Sequence, residues 1–242
     1  MANDKQEKMI IVNTEHSRQD INQIREYDPS RLRYSFASAL LPHLNESNKG
    51  QIFIDIGGGA GEFTGIARSK GYKTILIDGN INNVNREITM GYEATQLDLN
   101  QGLTEISDNK CDVAVCLDVI EHIVPAENLL REIHRVLKPD GILIISTPNF
   151  SYILDRLSYL FGEDVREEGY HYRFFTRKKF LKLLEDAGFI LESSNSMGSA
   201  IGINRLLKAL TWGKARIPKF RVAPIFESWL CSTFVYKMRN KK

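Results

Sequence analysis

The apolar run Phe53-Ile54-Asp55-Ile56 carries one acid and is followed by glycines at every second position, Gly57, Gly59 and Gly61. Glycines so placed permit backbone conformations and close approaches that a Cβ forbids, so the loop offers bare peptide to a ligand. A second run, Thr74-Ile75-Leu76-Ile77, closes on Asp78, 21 residues after Gly57. An acid there can accept both hydroxyls of a ribose. Asp78-Gly79-Asn80 is also good turn chemistry. Asp98 follows Ala94-Thr95-Gln96-Leu97. Its carboxylate can accept from an exocyclic amine while a neighbouring backbone N–H, as at Leu99, serves a ring. A fourth run, Cys111 to Leu117, leads into Asp118-Val119-Ile120-Glu121-His122. His122 is the first candidate for a general base, against the alternative that it bonds to backbone and orients its loop. His171, within an aromatic segment, is the second, against an ordinary loop histidine.

Two ligand classes use strand, glycine loop and helix. A dinucleotide fold needs G-x-G-x-x-G. Counting from Gly57 gives Gly57, Gly59 and then Glu62, a carboxylate that would face a pyrophosphate. An NAD(P) oxidoreductase is therefore the weaker alternative. Asp55, Gly57, Gly59 and Gly61 instead form D-x-G-x-G-x-G, which resembles the first motif of the class I S-adenosylmethionine (SAM) methyltransferases. The resemblance extends to Asp78, to Asp98, to the D-x-x-E-H sequence at Asp118–His122, and to the helix end, Pro-Asp-Gly turn and strand over 135–149. It implies SAM as cofactor. Asp55 and the glycines would shape the loop, with Gly57 and Gly59 against the methionine moiety. Asp78, with Gly79 and Asn80 beside it, would take the ribose. Asp98 and Leu99 would take the adenine, and Leu117 and Asp118 would line the methionine side. Asp118 and Glu121 also resemble acids that hold a divalent cation in some quinone-type O-methyltransferases. Those use more carboxylates than this chain offers, so no metal is expected.

The elements that must position these groups alternate. Strands are predicted at 52–56, 74–78, 94–98, 112–117 and 142–147, and helices at about 62–69, 81–90 and 126–137. That order implies a parallel sheet with helices on both faces. The strands are short continuous apolar runs, as expected of a sheet covered twice. Asp28-Pro29 predicts a helix start, with Leu32, Phe36, Leu40 and Leu41 on one face and a stop near Pro42. The resemblance implies that this helix covers the cofactor mouth. Thr176 caps an amphipathic helix ended by Gly188. Ile190–Ser193 and Ser232–Lys237 predict strands six and seven, the latter antiparallel in the family. The expected architecture is α/β: a seven-stranded, mostly parallel, doubly wound Rossmann-like sheet with an N-terminal helical cap (1–45) on a SAM-binding domain (46–242). Residues 195–229 form a C-terminal insertion between the last two strands.

Net charge is +2, so bulk charge predicts no nucleic-acid partner. Three cysteines, Cys111, Cys116 and Cys231, form no C-x-x-C pair and suggest neither zinc nor a disulfide framework. The first residues are polar and lack the apolar region of a signal peptide, so the default location is cytoplasmic. Residues 150–175 hold eight aromatics: Phe150, Tyr152, Tyr159, Phe161, Tyr170, Tyr172, Phe174 and Phe175. This segment and 195–229 should build the acceptor side. The run His171–Thr176 resembles methyltransferases of surface-glycan and quinone pathways. The resemblance then implies an acceptor that is a small molecule or glycan-like compound, methylated at a hydroxyl. A non-catalytic SAM-fold subunit is a further alternative. Residues 193–226 contain no acid and six cations, Arg205, Lys208, Lys214, Arg216, Lys219 and Arg221. They read either as a solvated basic face or as a surface for an anionic acceptor or membrane.

Overall fold

The computed structural model describes residues 32–44, 49–162, 171–198 and 220–242, within a compact unit running from Leu32 to Lys242. The expected cap at Asp28-Pro29, Tyr170, and the cations from Arg205 to Lys219 lie outside the described residues. In chain order the elements are α1 (Leu32–Ser38), β1 (Ile52–Ile56), α2 (Glu62–Ser69), β2 (Lys73–Asp78), α3 (Ile81–Thr89), β3 (Glu93–Gln96) and β4 (Cys111–Leu117). Then follow α4 (Ala126–Val136), β5 (Leu137–Pro148), α5 (Ile153–Leu160), α6 (Arg177–Asp186), β6 (Phe189–Ser194), β7 (Met197–Gly198), β8 (Phe220–Arg221), α7 (Glu227–Leu230) and β9 (Cys231–Asn240). The sheet runs β3-β2-β1-β4-β5-β9-β7-β8, with β6 also pairing β9. The first five strands are parallel, and β9 is antiparallel to both β5 and β6. This is the expected doubly wound Rossmann-like sheet, extended by the two-residue strands β7 and β8.

Alternation along each strand divides the interior into two layers. Ile54 and Ile56 of β1, Ala114 and Cys116 of β4, and Leu143 and Ile145 of β5 face one core, closed by Leu129, Ile133, Phe180 and Leu184 of α4 and α6. Phe53, Val113, Val115, Ile142 and Ile144 face the other, closed by Ala37, Leu41, Phe63 and Ala67 from α1, the turn after it, and α2. Both faces being apolar, the central strands β1, β4 and β5 read in sequence as largely hydrophobic runs. The leading helix ends earlier than expected, at Ser38 rather than near Pro42. Its Tyr34 ring packs 5.8 Å from Phe63, and the Phe36 carbonyl accepts from Asn195 Nδ2 at 2.7 Å.

Other boundaries also differ from the sequence reading. β3 ends at Gln96, so Asp98 is not a strand terminus; it caps a short 3-10 turn, Leu99–Gln101, by accepting from Asn100 N. α4 stops at Val136, one residue early, and β5 begins at Leu137 rather than 142. The Pro139-Asp140-Gly141 turn is present but lies inside the strand. Leu137 pairs Cys111 and Ile142 pairs Val113, so the residues between bulge out, with Asp140 left-handed at φ 58°. The Asp112 carboxylate holds this bulge, accepting from Lys138 Nζ at 2.8 Å and from Ile52 N at 2.9 Å.

Candidate functional site

Strand order reverses between β1 and β4, and a crevice at the carboxyl ends of the strands is expected at such a point. The sequence-predicted residues gather along that edge. Gly57, Gly59 and Gly61 all adopt the left-handed region, at φ 70°, 53° and 72°. A Cβ on Gly57 would stand 2.5 Å from Val119 Cγ2, and one on Gly61 would stand 2.4 Å from Glu87 Oε1. A Cβ on Gly59 would meet nothing within 4 Å. Two of the glycines are thus demanded by the protein's own packing. Gly59 faces open space, as a ligand-facing position would.

Asp78 ties this loop to β2. Its Oδ2 accepts from Gly59 N at 2.8 Å, and its Oδ1 accepts from Asn80 N at 2.8 Å and from Asn83 Nδ2 at 3.0 Å. Three of about four carboxylate acceptor positions are therefore filled. Asn80 caps α3, its side chain accepting from Asn82 N at 2.9 Å. Gly79 follows Asp78, and its carbonyl accepts from Gln96 Nε2 at 3.1 Å. Asp98 is exposed while Leu99 beside it is buried.

Asp55 lies buried beneath the loop, its Oδ2 accepting from Thr64 Oγ1 at 2.6 Å. Burial pushes its carboxyl up to about 6; the Thr64 hydrogen bond opposes this, and the charge of Asp78 adds to it. A carboxyl whose folded value lies above its unfolded one binds extra protons in the native state between the two. Its contribution to stability is full below the unfolded value near 3.8 and is lost as pH rises through about 6. That loss amounts to about 3 kcal/mol. Asp55→Asn, which can still accept from Thr64, should therefore be up to about 3 kcal/mol more stable than the parent at pH 8 and equal to it near pH 4. Denaturant unfolding of both chains at the two pH values checks this. A constant difference between them would remove the assignment.

At the end of β4, Leu117 pairs Ser146, and Asp118 takes φ 53°, sparsely populated for a residue with a side chain. Asp118 N donates to Ser146 Oγ at 3.0 Å, and that hydroxyl donates to Asp118 Oδ1 at 2.6 Å. Strain held by such a reciprocal pair is typical of binding edges. Three residues on, Glu121 is buried and accepts from Thr147 Oγ1 at 3.1 Å. Its backbone carbonyl accepts from both Tyr172 N (3.0 Å) and Arg173 N (3.1 Å). Those two bonds carry the aromatic segment to the end of β4, and His122 and His171 come to 4.7 Å between ring centroids. One ligand atom each of Glu121, His122 and His171 lie within 4.8 Å of one another. This is the donor set among the described residues that could hold a metal, formed from one carboxylate and two imidazoles rather than from the acids Asp118 and Glu121 together. Phe150 and Phe174 (4.8 Å) and Phe150 and Tyr159 (6.2 Å) continue the aromatic wall.

Sequence reasoning missed Thr64, Ser146, Thr147 and Val119, which hold Asp55, Asp118, Glu121 and Gly57 in place. Their only signal is register: Ser146 is the β5 partner of Leu117. It also missed Glu227, fully buried, which accepts from Arg177 Nε at 3.0 Å and from Tyr236 Oη at 3.1 Å.

A family profile described as a methyltransferase domain matches residues 24–194. The chain belongs to that family, the SAM-dependent methyltransferases, whose cofactor is S-adenosylmethionine. It is similar to a ubiquinone biosynthesis O-methyltransferase of Rickettsia typhi, 33% identical over 129 residues, which are 52% of this chain and 50% of that protein. It is also similar to the protein of the same description from Rickettsia canadensis, 28% identical over 169 residues, 66% of this chain and 71% of that protein. The chain thus spans half the length of the first of these relatives and more of the second. Among solved structures it resembles a Burkholderia thailandensis 1,6-didemethyltoxoflavin-N1-methyltransferase with bound S-adenosylhomocysteine, with a TM-score of 0.58 and 17% identity over 97% of this chain and 87% of that one. That likeness is one of fold. No helix among the described residues is long and apolar enough to cross a membrane.

Proposed function

We propose that this protein transfers a methyl group from SAM to a hydroxyl of a small-molecule acceptor. The donor, when bound, supplies an activated methyl on a positively charged sulfur. The residues present fit such a group. Three left-handed glycines leave an open approach at Gly59, and the ionised form of the buried Asp55, which burial disfavours, would be stabilised by a cation nearby. Gly57 and Gly59 lie where backbone would meet the methionine moiety. Asp78, which accepts from Gly59 N and Asn83 Nδ2 and has an acceptor position to spare, would hold the ribose hydroxyls. Asp98 and Leu99 serve the adenine, and Leu117 and Asp118 line the methionine side. Positioning in line supplies much of the rate. His122, with His171 beside it, takes the acceptor's proton as attack proceeds.

The observation that carries this reading is the convergence at one sheet edge of the glycine loop, the Asp78 tether and the histidine pair. The O-methyltransferase descriptions of the Rickettsia relatives support hydroxyl as the acceptor group. Calorimetric titration with SAM, S-adenosylhomocysteine and NAD tests it: the two sulfur compounds should bind and NAD should not. Asp78→Ala should weaken SAM by about 1–3 kcal/mol, since hydroxyls lose a charged acceptor. NAD binding, or an affinity unchanged in Asp78→Ala, would overturn the assignment.

A further inference from the structure

We propose that Asp55 is the residue that tells the donor from the spent cofactor, giving SAM a preference over S-adenosylhomocysteine that exists only while its carboxyl is ionised. The inference rests on the placement of the donor at the glycine loop and adds what separates the two occupants of that place. Both carry the same ribose, adenine and amino-acid end, so Asp78 and Asp98 would serve them alike. They differ by one methyl and one positive charge: as the methyl leaves for the acceptor, sulfur keeps the bonding electron pair and becomes a neutral thioether. Preference for one over the other is a difference of two affinities, and a group that answers to that charge supplies it.

Asp55 is placed to answer. A Cβ on Gly58 would stand 3.0 Å from Asp55 Cγ, so the carboxyl lies directly under the middle of the loop, between Gly57 and the open position at Gly59. Asp55 is 3% exposed, and Thr64, its hydrogen-bond donor at 2.6 Å, is fully buried. A charge above the loop therefore reaches the carboxyl through protein, which screens it less than water does. The groups facing Asp55 leave it uncompensated. Asp78 from β2 and Glu87 from α3 are both acids, and Glu87 is already paired with Arg68 of α2 at 2.7 Å. On the β4 side lies the buried thiol of Cys116, pushed well above its ordinary value by burial and by the charges of Glu121, Asp55 and Asp118. Among the described residues no cation pairs with Asp55.

Burial pushes the Asp55 carboxyl up to about 6, with the Thr64 hydrogen bond opposing and the charges of Asp78 and Glu87 adding. Well below that value the carboxyl is protonated and does not feel the sulfonium charge. Above it the carboxylate attracts the donor, and a donor bound at lower pH drives the proton off. The preference that Asp55 confers is therefore absent in acid, grows as pH approaches 6 and is constant above it. A charge that lowers the bound carboxyl by about one unit makes that preference about tenfold.

Titration calorimetry of the full chain with SAM and with S-adenosylhomocysteine tests this. The ratio of the two dissociation constants should move about tenfold in favour of SAM from pH 4.5 to pH 7. At pH 5.5, in buffers of different ionisation heat, SAM should release about half a proton more than S-adenosylhomocysteine does. In Asp55→Asn the ratio should not change with pH. Thr64→Val, which removes the hydrogen bond that favours the ionised form, should move the rise to higher pH. A ratio independent of pH in the parent overturns the inference while leaving the donor's placement intact. So does a rise that Asp55→Asn retains or that Thr64→Val leaves unmoved, which assigns the response to another group such as His122. If neither compound binds, the donor's placement falls and the inference falls with it.

Discussion

Gly61→Ala should lower the free energy of unfolding by about 3 kcal/mol, of which about 1 kcal/mol is left-handed strain and the rest overlap. The overlap has nowhere to go. The Cβ would sit 2.4 Å from Glu87 Oε1, and Glu87 is buried and paired with Arg68 at 2.7 Å. Arg68 is itself held, donating to Thr74 Oγ1 at 3.2 Å with its guanidinium 3.2 Å over the Tyr92 ring. The expected drop in melting temperature is roughly 10 °C for a chain of this size. Gly59→Ala makes the control, because only the strain applies there: it should cost about 1 kcal/mol in stability. It should nevertheless damage SAM binding more than its stability loss accounts for, since the added methyl fills the open approach. Thermal unfolding and SAM titration of both variants decide the matter. If Gly61→Ala melts with the parent, the close packing of Glu87 under the loop is wrong.

Loss of the imidazole at residue 122 should reduce kcat between 100-fold and 10,000-fold, the range for a positioned proton acceptor. SAM affinity should be nearly unchanged in His122→Ala, because the loop glycines and Asp78 do not depend on that ring. His171→Ala should give a smaller fall if His171 supports His122 and a comparable one if it takes the proton itself. A different pattern would return His122 to a structural part. SAM affinity and melting temperature would then fall together, and kcat would fall little.

The glycine loop and the strand that enters it were legible because their signals are local. An apolar run covered on both faces, an acid at its end and glycines at alternate positions follow from β1 entering a tight loop, and the left-handed angles at Gly57, Gly59 and Gly61 match that reading. Parallel pairing then carried Asp78 and Asp118 to the same edge. What was misjudged depended on distant partners. β5 starts early because Leu137 pairs Cys111 across a bulge that the Asp112–Lys138 pair holds. Asp98 was placed at a strand end, but Asn100 N recruits it as a cap. Nothing near Glu227 in sequence announces a buried carboxylate; its partners Arg177, Ser194 and Tyr236 come from three separate elements. The short strands β7 and β8 are two residues each, too brief for any periodic signal.

The rungs that pair Met197 with Arg221 and Gly198 with Phe220 make neighbours of two points far apart in the chain. Closing a longer or shorter connection between fixed neighbours changes the entropy only slowly with length. With those rungs paired, doubling the length of the connection costs only about 0.6 kcal/mol of closure entropy.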